Sequence, residues 1–403
     1  MFIYKAGVIG AGTMGSGIAQ TISFSGLPVI LKDVDMDKVN YGIQLIKKIY
    51  QTRVDKGKMS SNEMEQKMAL VTGTTSNEDF KECDIIVEAV YENAEVKKKV
   101  LTEVEKHIPE NAILATNTSA LSITELAAAV QHSERVVGMH FFNPPSVMKL
   151  VEIIPGLQTS NDVVQDTLTF AESLRKIPVR VKECTGFLVN RLLMPYLNEA
   201  AFIAQTGTAT ILEMDEAMRQ FGMPMGPFVL MDLLGLDVCD DVANILYDAY
   251  GSRMQPSSLL LEMKQAKCLG VKSKVGFYTY DESKTSKFPE ILQKLSQTSP
   301  QGVRPFSPVQ SLLPMINEAA LCLEENIASP MDIDMAMMAG TGFPSEKGGP
   351  LHYADQLGLD WVLQQLQLLT KQVGERFWPA PLLKRMVAAG YLGTKTKKGF
   401  FNY

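Results

Sequence analysis

His140 and Glu152 are the residues of this chain best suited to chemistry. His140 closes the apolar run Val136-Val-Gly-Met-His140, and Glu152 stands inside another, Leu150-Val-Glu152-Ile-Ile. A carboxylate in such a run is costly to bury unless it is paired. His140 is the economical partner. A carboxylate fixes the imidazole tautomer and stabilises its cation, which suits a general base near neutral pH. Standing alone, His140 would also read as a satisfied histidine at a strand end. Ser119 in Asn117-Thr-Ser119 and Asn190 in Thr185-Gly-Phe-Leu-Val-Asn190-Arg are small polar donors after structural breaks. Each could equally be a loop or helix cap. Asn143-Pro-Pro, two residues after His140-Phe, reads as a rigid turn. A base, a hydroxyl and carboxamides together suit proton removal from an alcohol beside a polarised carbonyl.

A second constellation explains what could take the hydride of that alcohol. Gly10-Ala-Gly12-Thr-Met-Gly15 follows an apolar strand over 5–10 and opens a helix that runs to Phe24. Gly10 permits a tight turn, Gly12 lets backbone approach a pyrophosphate, and Gly15 lets helix and sheet pack closely. Thr13 and Met14 fall at the helix N-terminus, whose free N–H groups suit phosphate. Asp33 lies 18 residues beyond Gly15 at the end of the next strand. A carboxylate there bonds ribose hydroxyls and repels a 2′-phosphate, so NAD is expected over NADP. Lys32 should point the other way by strand alternation.

These residues need a scaffold. Apolar strand-like runs at Pro28–Leu31, Ile85–Glu88, Ala112–Thr116, Val136–His140 and Lys149–Ile154 alternate with helical patterns, including a long amphipathic helix over Met36–Lys56. Strands apolar on both faces argue for a parallel sheet covered by helices. The expected fold is therefore α/β, a Rossmann-type dinucleotide-binding domain over 1–184. The remainder of the chain is helical in pattern and repeats itself. Tyr196-Leu-Asn198-Glu199-Ala-Ala is echoed by Met315-Ile-Asn317-Glu318-Ala-Ala, and Leu234-Gly-Leu-Asp237 by Leu357-Gly-Leu-Asp360. Gly270-Val-Lys272-Ser-Lys274-Val-Gly276-Phe277 is echoed by Gly393-Thr-Lys395-Thr-Lys397-Lys-Gly399-Phe400. The offset grows from 119 to 123 residues, which places a small insertion near Ser345–Lys347. Two duplicated all-helical domains are expected, over 185–283 and 304–403. The Ser/Thr/Pro/Gln-rich stretch 284–303 would link them.

Composition narrows the function classes. The chain has 403 residues, 46% hydrophobic and 21% charged, with a net charge of -6. That length allows two or three domains, and the charge offers no footprint for nucleic acid. No apolar run reaches the roughly 20 residues of a membrane span. Five scattered cysteines and four histidines show no metal spacing, so no metal is expected. Reduced thiols, with no targeting pattern at either end, suggest a cytoplasmic protein.

Gly10–Gly15, Asn117–Ser119, Gly138–Pro144, Met148-Lys-Leu-Val-Glu152 and Thr185–Arg191 together resemble the L-3-hydroxyacyl-CoA dehydrogenases of fatty-acid β-oxidation. So do Met225-Gly-Pro-Phe228 and Leu234-Gly-Leu-Asp237 in the first helical repeat. The likeness covers essentially the whole chain. Its tandem helical domains are similar to the dehydrogenase part of multifunctional β-oxidation proteins, without their hydratase part. The resemblance implies oxidation of (S)-3-hydroxyacyl-CoA, including 3-hydroxybutyryl-CoA, with His140 taking the 3-hydroxyl proton and Glu152 orienting it. It implies that Ser119 and Asn190 bond the substrate oxygens. It also implies that Val90, Glu92, Lys97, Ser119 and Asn143 line the nicotinamide half of the cofactor site. Coenzyme A would meet the long helix after Asp33, where Arg53, Lys56 and Lys58 are plausible phosphate contacts or simply a solvated basic face. The second copy has Pro305-Phe-Ser-Pro-Val309-Gln310 where the first has Gly186-Phe-Leu-Val-Asn190-Arg191, so one active site is expected. A monomer or homodimer, with other β-oxidation enzymes as candidate associates, completes the expectation. Two rivals are a dehydrogenase of a non-CoA 3-hydroxy acid and a non-catalytic NAD-binding assembly protein.

Overall fold

The structure is a computed structural model that describes residues 1–297 and 306–403. Its contacts divide it into two compact units, Met1–Phe187 and Leu188–Tyr403. The first unit is α/β. Its strands are β1 (Ala6–Ile9), β2 (Val29–Lys32), β3 (Val71–Thr74), β4 (Ile85–Glu88), β5 (Ile113–Thr116), β6 (Val136–Phe141), β7 (Leu150–Pro155) and β8 (Ile177–Arg180). The helices around them are α1 (Thr13–Phe24), α2 (Met36–Asp55), α3 (Ser61–Met68), α4 (Ala94–Glu105), α5 (Ile123–Ala127) and α6 (Asn161–Ser173). One sheet forms in the order β3-β2-β1-β4-β5-β6-β7-β8. Val8, Leu31, Val87, Ile113, Val137, Met139, Val151 and Ile153 join one buried core. Each fully buried aliphatic side chain of this kind contributes about 1.5–3 kcal/mol.

The expected parallel sheet needs one correction. Neighbouring strands are parallel except β6 and β7, which run antiparallel with His140 opposite Glu152. A parallel crossover takes a dozen or more residues. The loop joining these two strands covers only residues 142–149, so the chain must turn straight back. Strands β3 and β8 also went unread. Both lie at the sheet edges, where Val71-Thr-Gly-Thr and Ile177-Pro-Val-Arg carry too few apolar residues to stand out.

Topology places the chemistry. The chain winds from β1 through β2 to β3, then returns to add β4 on the other side of β1. Ligands of open α/β sheets bind at such a switch point, outside the carboxyl ends of the strands. Gly10, Asp33, Val90, Asn117 and Asn143 all follow the carboxyl ends of parallel-running strands there.

The second unit is helical. The first copy comprises α7 (Val189–Gln205), α8 (Ile211–Phe221), α9 (Pro227–Leu234), α10 (Leu236–Tyr250) and α11 (Ser258–Gln265), followed by α12 (Phe288–Ser296). The second comprises α13 (Pro308–Glu324), α14 (Pro330–Thr341), α15 (Pro350–Leu357), α16 (Leu359–Val373) and α17 (Pro381–Ala388). The stretch expected to be linker is not linker throughout. Phe288, Ile291 and Leu295 have helical spacing and form the buried face of α12. The surrounding Ser, Thr and Lys mask that spacing. Residues 298–303 of the expected linker, and 304–305 of the expected second helical domain, lie outside the described residues.

The duplication is visible in detail. The carboxylate of Asp232 accepts from the N–H groups of Phe277 and Tyr278 at 2.9 Å each, and Asp355 accepts from those of Phe400 and Phe401 at 3.0 Å each. The inserted residues Ser345–Lys347 form a single 3-10 turn. The copies meet along α7 and α13, and their ion pairs are reciprocal. Arg253 of the first copy bonds Glu318 of the second at 3.2 Å, while Arg376 of the second bonds Glu199 of the first at 2.6 Å. Such exchange of equivalent contacts is what a two-fold interface produces. Arg191 and its counterpart Gln310 add a second crossed contact, Gln310 bonding Glu199 as Arg191 bonds Glu318. Arg191 is fully buried and reaches Glu318 at 2.7 Å and Glu325 at 2.8 Å.

Candidate active site

The glycine turn is shaped for a dinucleotide. Gly10 has φ +104°, in the left-handed region, and an added Cβ would meet the Ala89 carbonyl oxygen at 2.6 Å. At Gly15 a Cβ would stand 1.7 Å from the Gly10 carbonyl oxygen. Gly12 differs, because nothing lies within 4 Å of its Cβ position. The first two glycines are therefore demanded by packing, and the third faces open space where a pyrophosphate fits. Gly12 caps α1 without any side-chain bond, so the helix N–H groups stay available to phosphate. Thr13 is exposed and Met14 half-buried at that terminus. The Asp33 carboxylate accepts from the N–H of Ala11 and from that of Val34, both at 2.7 Å. It holds the turn and retains lone pairs for a ribose. These residues fit NAD.

The cross-strand register delivers the acid–base pair. His140 Nδ1 and Glu152 Oε2 lie 2.7 Å apart. Glu152 is fully buried and His140 nearly so. The pairing leaves His140 Nε2 as the nitrogen open to a substrate. Two rings flank the imidazole, Phe142 at 4.5 Å and Phe187 at 5.8 Å between centroids. The Phe141 N–H, one residue past His140, donates to Asn117 Oδ1 at 2.9 Å. Asn117 thus ties the β5 end to the β6 end.

Beside this pair sits a chain of charges. Lys97, in the first turns of α4, is buried and donates to Glu88 at 2.8 and 3.1 Å. It also reaches Glu92 at 3.2 Å. Glu88 is fully buried and further accepts from the Val90 N–H and the Thr116 hydroxyl, both at 2.6 Å. Glu92 accepts from the Thr118 hydroxyl at 2.5 Å, the Ser119 N–H at 2.8 Å and the Ser119 hydroxyl at 3.3 Å. Burial alone would raise the Glu92 carboxyl, but the Lys97 charge and these hydrogen bonds outweigh it and hold the group below its usual range.

Within the first unit the structure therefore brings together His140 with Glu152, and Val90, Glu92 and Lys97 with Ser119. Asn143 is exposed in the loop after β6 and joined to Pro144 by a cis peptide. Asn190 belongs to the second unit, half-buried in the first turn of α7. Arg53 is half-buried with its guanidinium over the Phe24 ring at 4.4 Å, and Lys56 is exposed just past α2. Three residues of the network were missed, Glu88, Thr116 and Thr118. Glu88 ends the run Ile85-Ile-Val-Glu88, so the buried-carboxylate signal that marks Glu152 would have found it. The two threonines carry no such signal. Among the described residues no cluster of His, Cys, Asp or Glu could hold a metal, and no helix is long and apolar enough to cross a membrane.

The fold and this site together fit a dinucleotide beside an acid–base pair. Comparison with known proteins agrees. The profile of the 3-hydroxyacyl-CoA dehydrogenase NAD binding domain matches residues 5–184. That of the 3-hydroxyacyl-CoA dehydrogenase C-terminal domain matches twice, over 186–280 and 309–403. The chain belongs to the 3-hydroxyacyl-CoA dehydrogenase family, and its cofactor is NAD. The crystal structure of 3-hydroxybutyryl-CoA dehydrogenase from Escherichia coli K12 is 30% identical, with a TM-score of 0.87, covering 97% of this chain and all of that one. That of (S)-3-hydroxybutyryl-CoA dehydrogenase from Ralstonia eutropha is 39% identical, with a TM-score of 0.68, covering 70% of this chain and all of that one. The fatty acid oxidation complex subunit alpha of Psychrobacter arcticus is 39% identical over 96% of this chain. The chain spans about half the length of such curated relatives, 55% in that case.

Proposed function

We propose that this chain oxidises (S)-3-hydroxyacyl-CoA to 3-oxoacyl-CoA with NAD, and that His140, Glu152, Ser119 and Asn190 carry the reaction. The observation that bears most weight is the buried His140–Glu152 pair at the carboxyl edge of the sheet that also bears the Gly10–Gly15 turn. Bound NAD supplies the hydride acceptor. His140 takes the 3-hydroxyl proton at Nε2, because Nδ1 is engaged by Glu152. The carboxylate offsets the imidazolium charge that results. Phe142 and Phe187 keep water from the ring, which strengthens that pairing. Ser119 and Asn190 hydrogen-bond the substrate oxygens in this reading. Val90, Glu92, Lys97 and Asn143 line the nicotinamide half, with Glu88 holding Lys97 and the Val90 N–H in place. Arg53 and Lys56 are assigned to the coenzyme A phosphates, with Lys56 the freer of the two.

In the same reading the domains are 1–184, 185–283 and 304–403, and the second helical copy is structural. The protein acts in the cytoplasm, as a monomer or homodimer, in fatty-acid β-oxidation or a related acyl-CoA pathway. The relative named as a complex subunit supports association with other enzymes of that pathway. NADH formation from (S)-3-hydroxybutyryl-CoA, set against free (S)-3-hydroxybutyrate, tests the substrate class. Turnover of the thioester alone is expected. Equal turnover of the free acid would favour a non-CoA dehydrogenase.

A further inference from the structure

The loop that joins the His140 strand to the Glu152 strand is gripped by a cation outside the catalytic pair. Lys176 follows Arg175, whose φ of 60° turns the chain out of α6. The Ile177 N–H then donates to the Lys149 carbonyl at 2.8 Å, starting the pairing of β8 with β7. Lys176 is thereby set beside the end of the 142–149 loop. Its ammonium donates to the Pro145 carbonyl and, at 2.8 Å, to the Met148 carbonyl.

The same Pro145 carbonyl is held from the other side. The Thr21 hydroxyl of α1 donates to the Pro145 oxygen at 3.3 Å. The Pro145 ring lies 2.9 Å from where a Cβ on Gly17 would stand. The helix that opens at the glycine turn and Lys176 therefore grip one residue, two positions after Asn143. Both bonds of the ammonium go to neutral carbonyl oxygens. Burial pushes it down to about 8, and desolvating a cation for neutral partners is costly. Loop fixation is what that cost obtains.

We propose that Lys176 is a positioning residue. It ties the 142–149 loop to α1 and β8, and so holds Asn143 and the His140–Glu152 pair in register with the bound cofactor. The assignment rests on the dehydrogenase reading for its kinetic consequences only.

Lys176→Met keeps the aliphatic stem and removes the charge. NADH affinity, measured by fluorescence titration, should fall about tenfold, and kcat for 3-hydroxybutyryl-CoA by about 10- to 100-fold, as for a modest misplacement of reacting groups. The amides of Val147 and Met148, which donate to the Pro144 carbonyl at 3.0 Å each, should exchange hydrogen faster. Lys176→Arg should recover part of all three. NADH affinity, kcat and exchange within about twofold of wild type in folded Lys176→Met would overturn the assignment. So would Lys176→Arg restoring melting temperature alone. Should Lys176→Met fail to fold, Lys176→Gln is judged on the same measurements, and failure of both to fold would mark a fold residue instead. Wild type that binds NADH but turns over no 3-hydroxyacyl-CoA would sink the substrate reading, with the affinity and exchange measurements still deciding on Lys176.

Discussion

At the residue scale, charge pairing explains both what could be read in advance and what could not. Glu152 was legible because a carboxylate among aliphatic residues demands a partner, and the structure supplies His140 at 2.7 Å. Glu88 emits the same signal and holds Lys97 in the same way. Lys176 was illegible, since its bonds run to backbone carbonyls, which every sequence position possesses. Asp33 does more than its position in the motif implies, because it also accepts from the Ala11 N–H. Asp33→Ser should therefore narrow the preference for NAD over NADP and also weaken NADH binding by about tenfold, worth about 1.4 kcal/mol. Comparable catalytic efficiency of the wild type with both cofactors would contradict this role. Glu92 provides the pH dependence. Its folded pKa lies below the unfolded value of about 4.3. The stability it adds is present above that value and is lost as pH falls through the folded value. Glu92→Gln should flatten the acid-side fall of melting temperature, and an unchanged acid limb would count against the Lys97–Glu92 coupling.

At the element scale, the two helical copies solve one problem in two ways. Asp215 opens the first solution, accepting from the Phe228 N–H at 2.9 Å and the Tyr278 hydroxyl at 2.6 Å. Its counterpart Asp334 faces Phe401 in place of Tyr278 and has lost that hydroxyl. His352, which stands where the first copy has Val229, replaces it at 2.8 Å and stacks on Phe401 at 3.7 Å between centroids. The repeat itself was legible from its ordered segment matches, but this exchange of donors was not, because the two substitutions are 49 residues apart. His352→Val should cost about 1–3 kcal/mol by leaving a buried carboxylate short of a donor. Adding Phe401→Tyr should restore most of it. Additive losses in a thermal-denaturation double-mutant cycle would show that the two positions are not coupled.

At the scale of the whole molecule, crossed ion pairs tie the two helical copies together. Arg253–Glu318 and Arg376–Glu199 cross between the copies in both directions, and Arg191 lies wholly buried against Glu318 and Glu325. Removing one side of a buried pair costs about 3–5 kcal/mol. A chain truncated before residue 304 should therefore aggregate or dimerise through its α7 face, as light scattering would register. A soluble, monomeric and fully active fragment would refute the structural role given to the second copy. The central claim, that one His140–Glu152 pair in this chain serves NAD-dependent oxidation of a 3-hydroxyacyl thioester, is most directly tested with His140→Gln. Wild type and variant are compared for NADH absorbance with (S)-3-hydroxybutyryl-CoA and for NADH binding by fluorescence. The account predicts NADH formation by the wild type, unchanged binding in the variant, and a kcat lower by about 100-fold or more. Near-normal turnover by a folded, NADH-binding His140→Gln protein would contradict it.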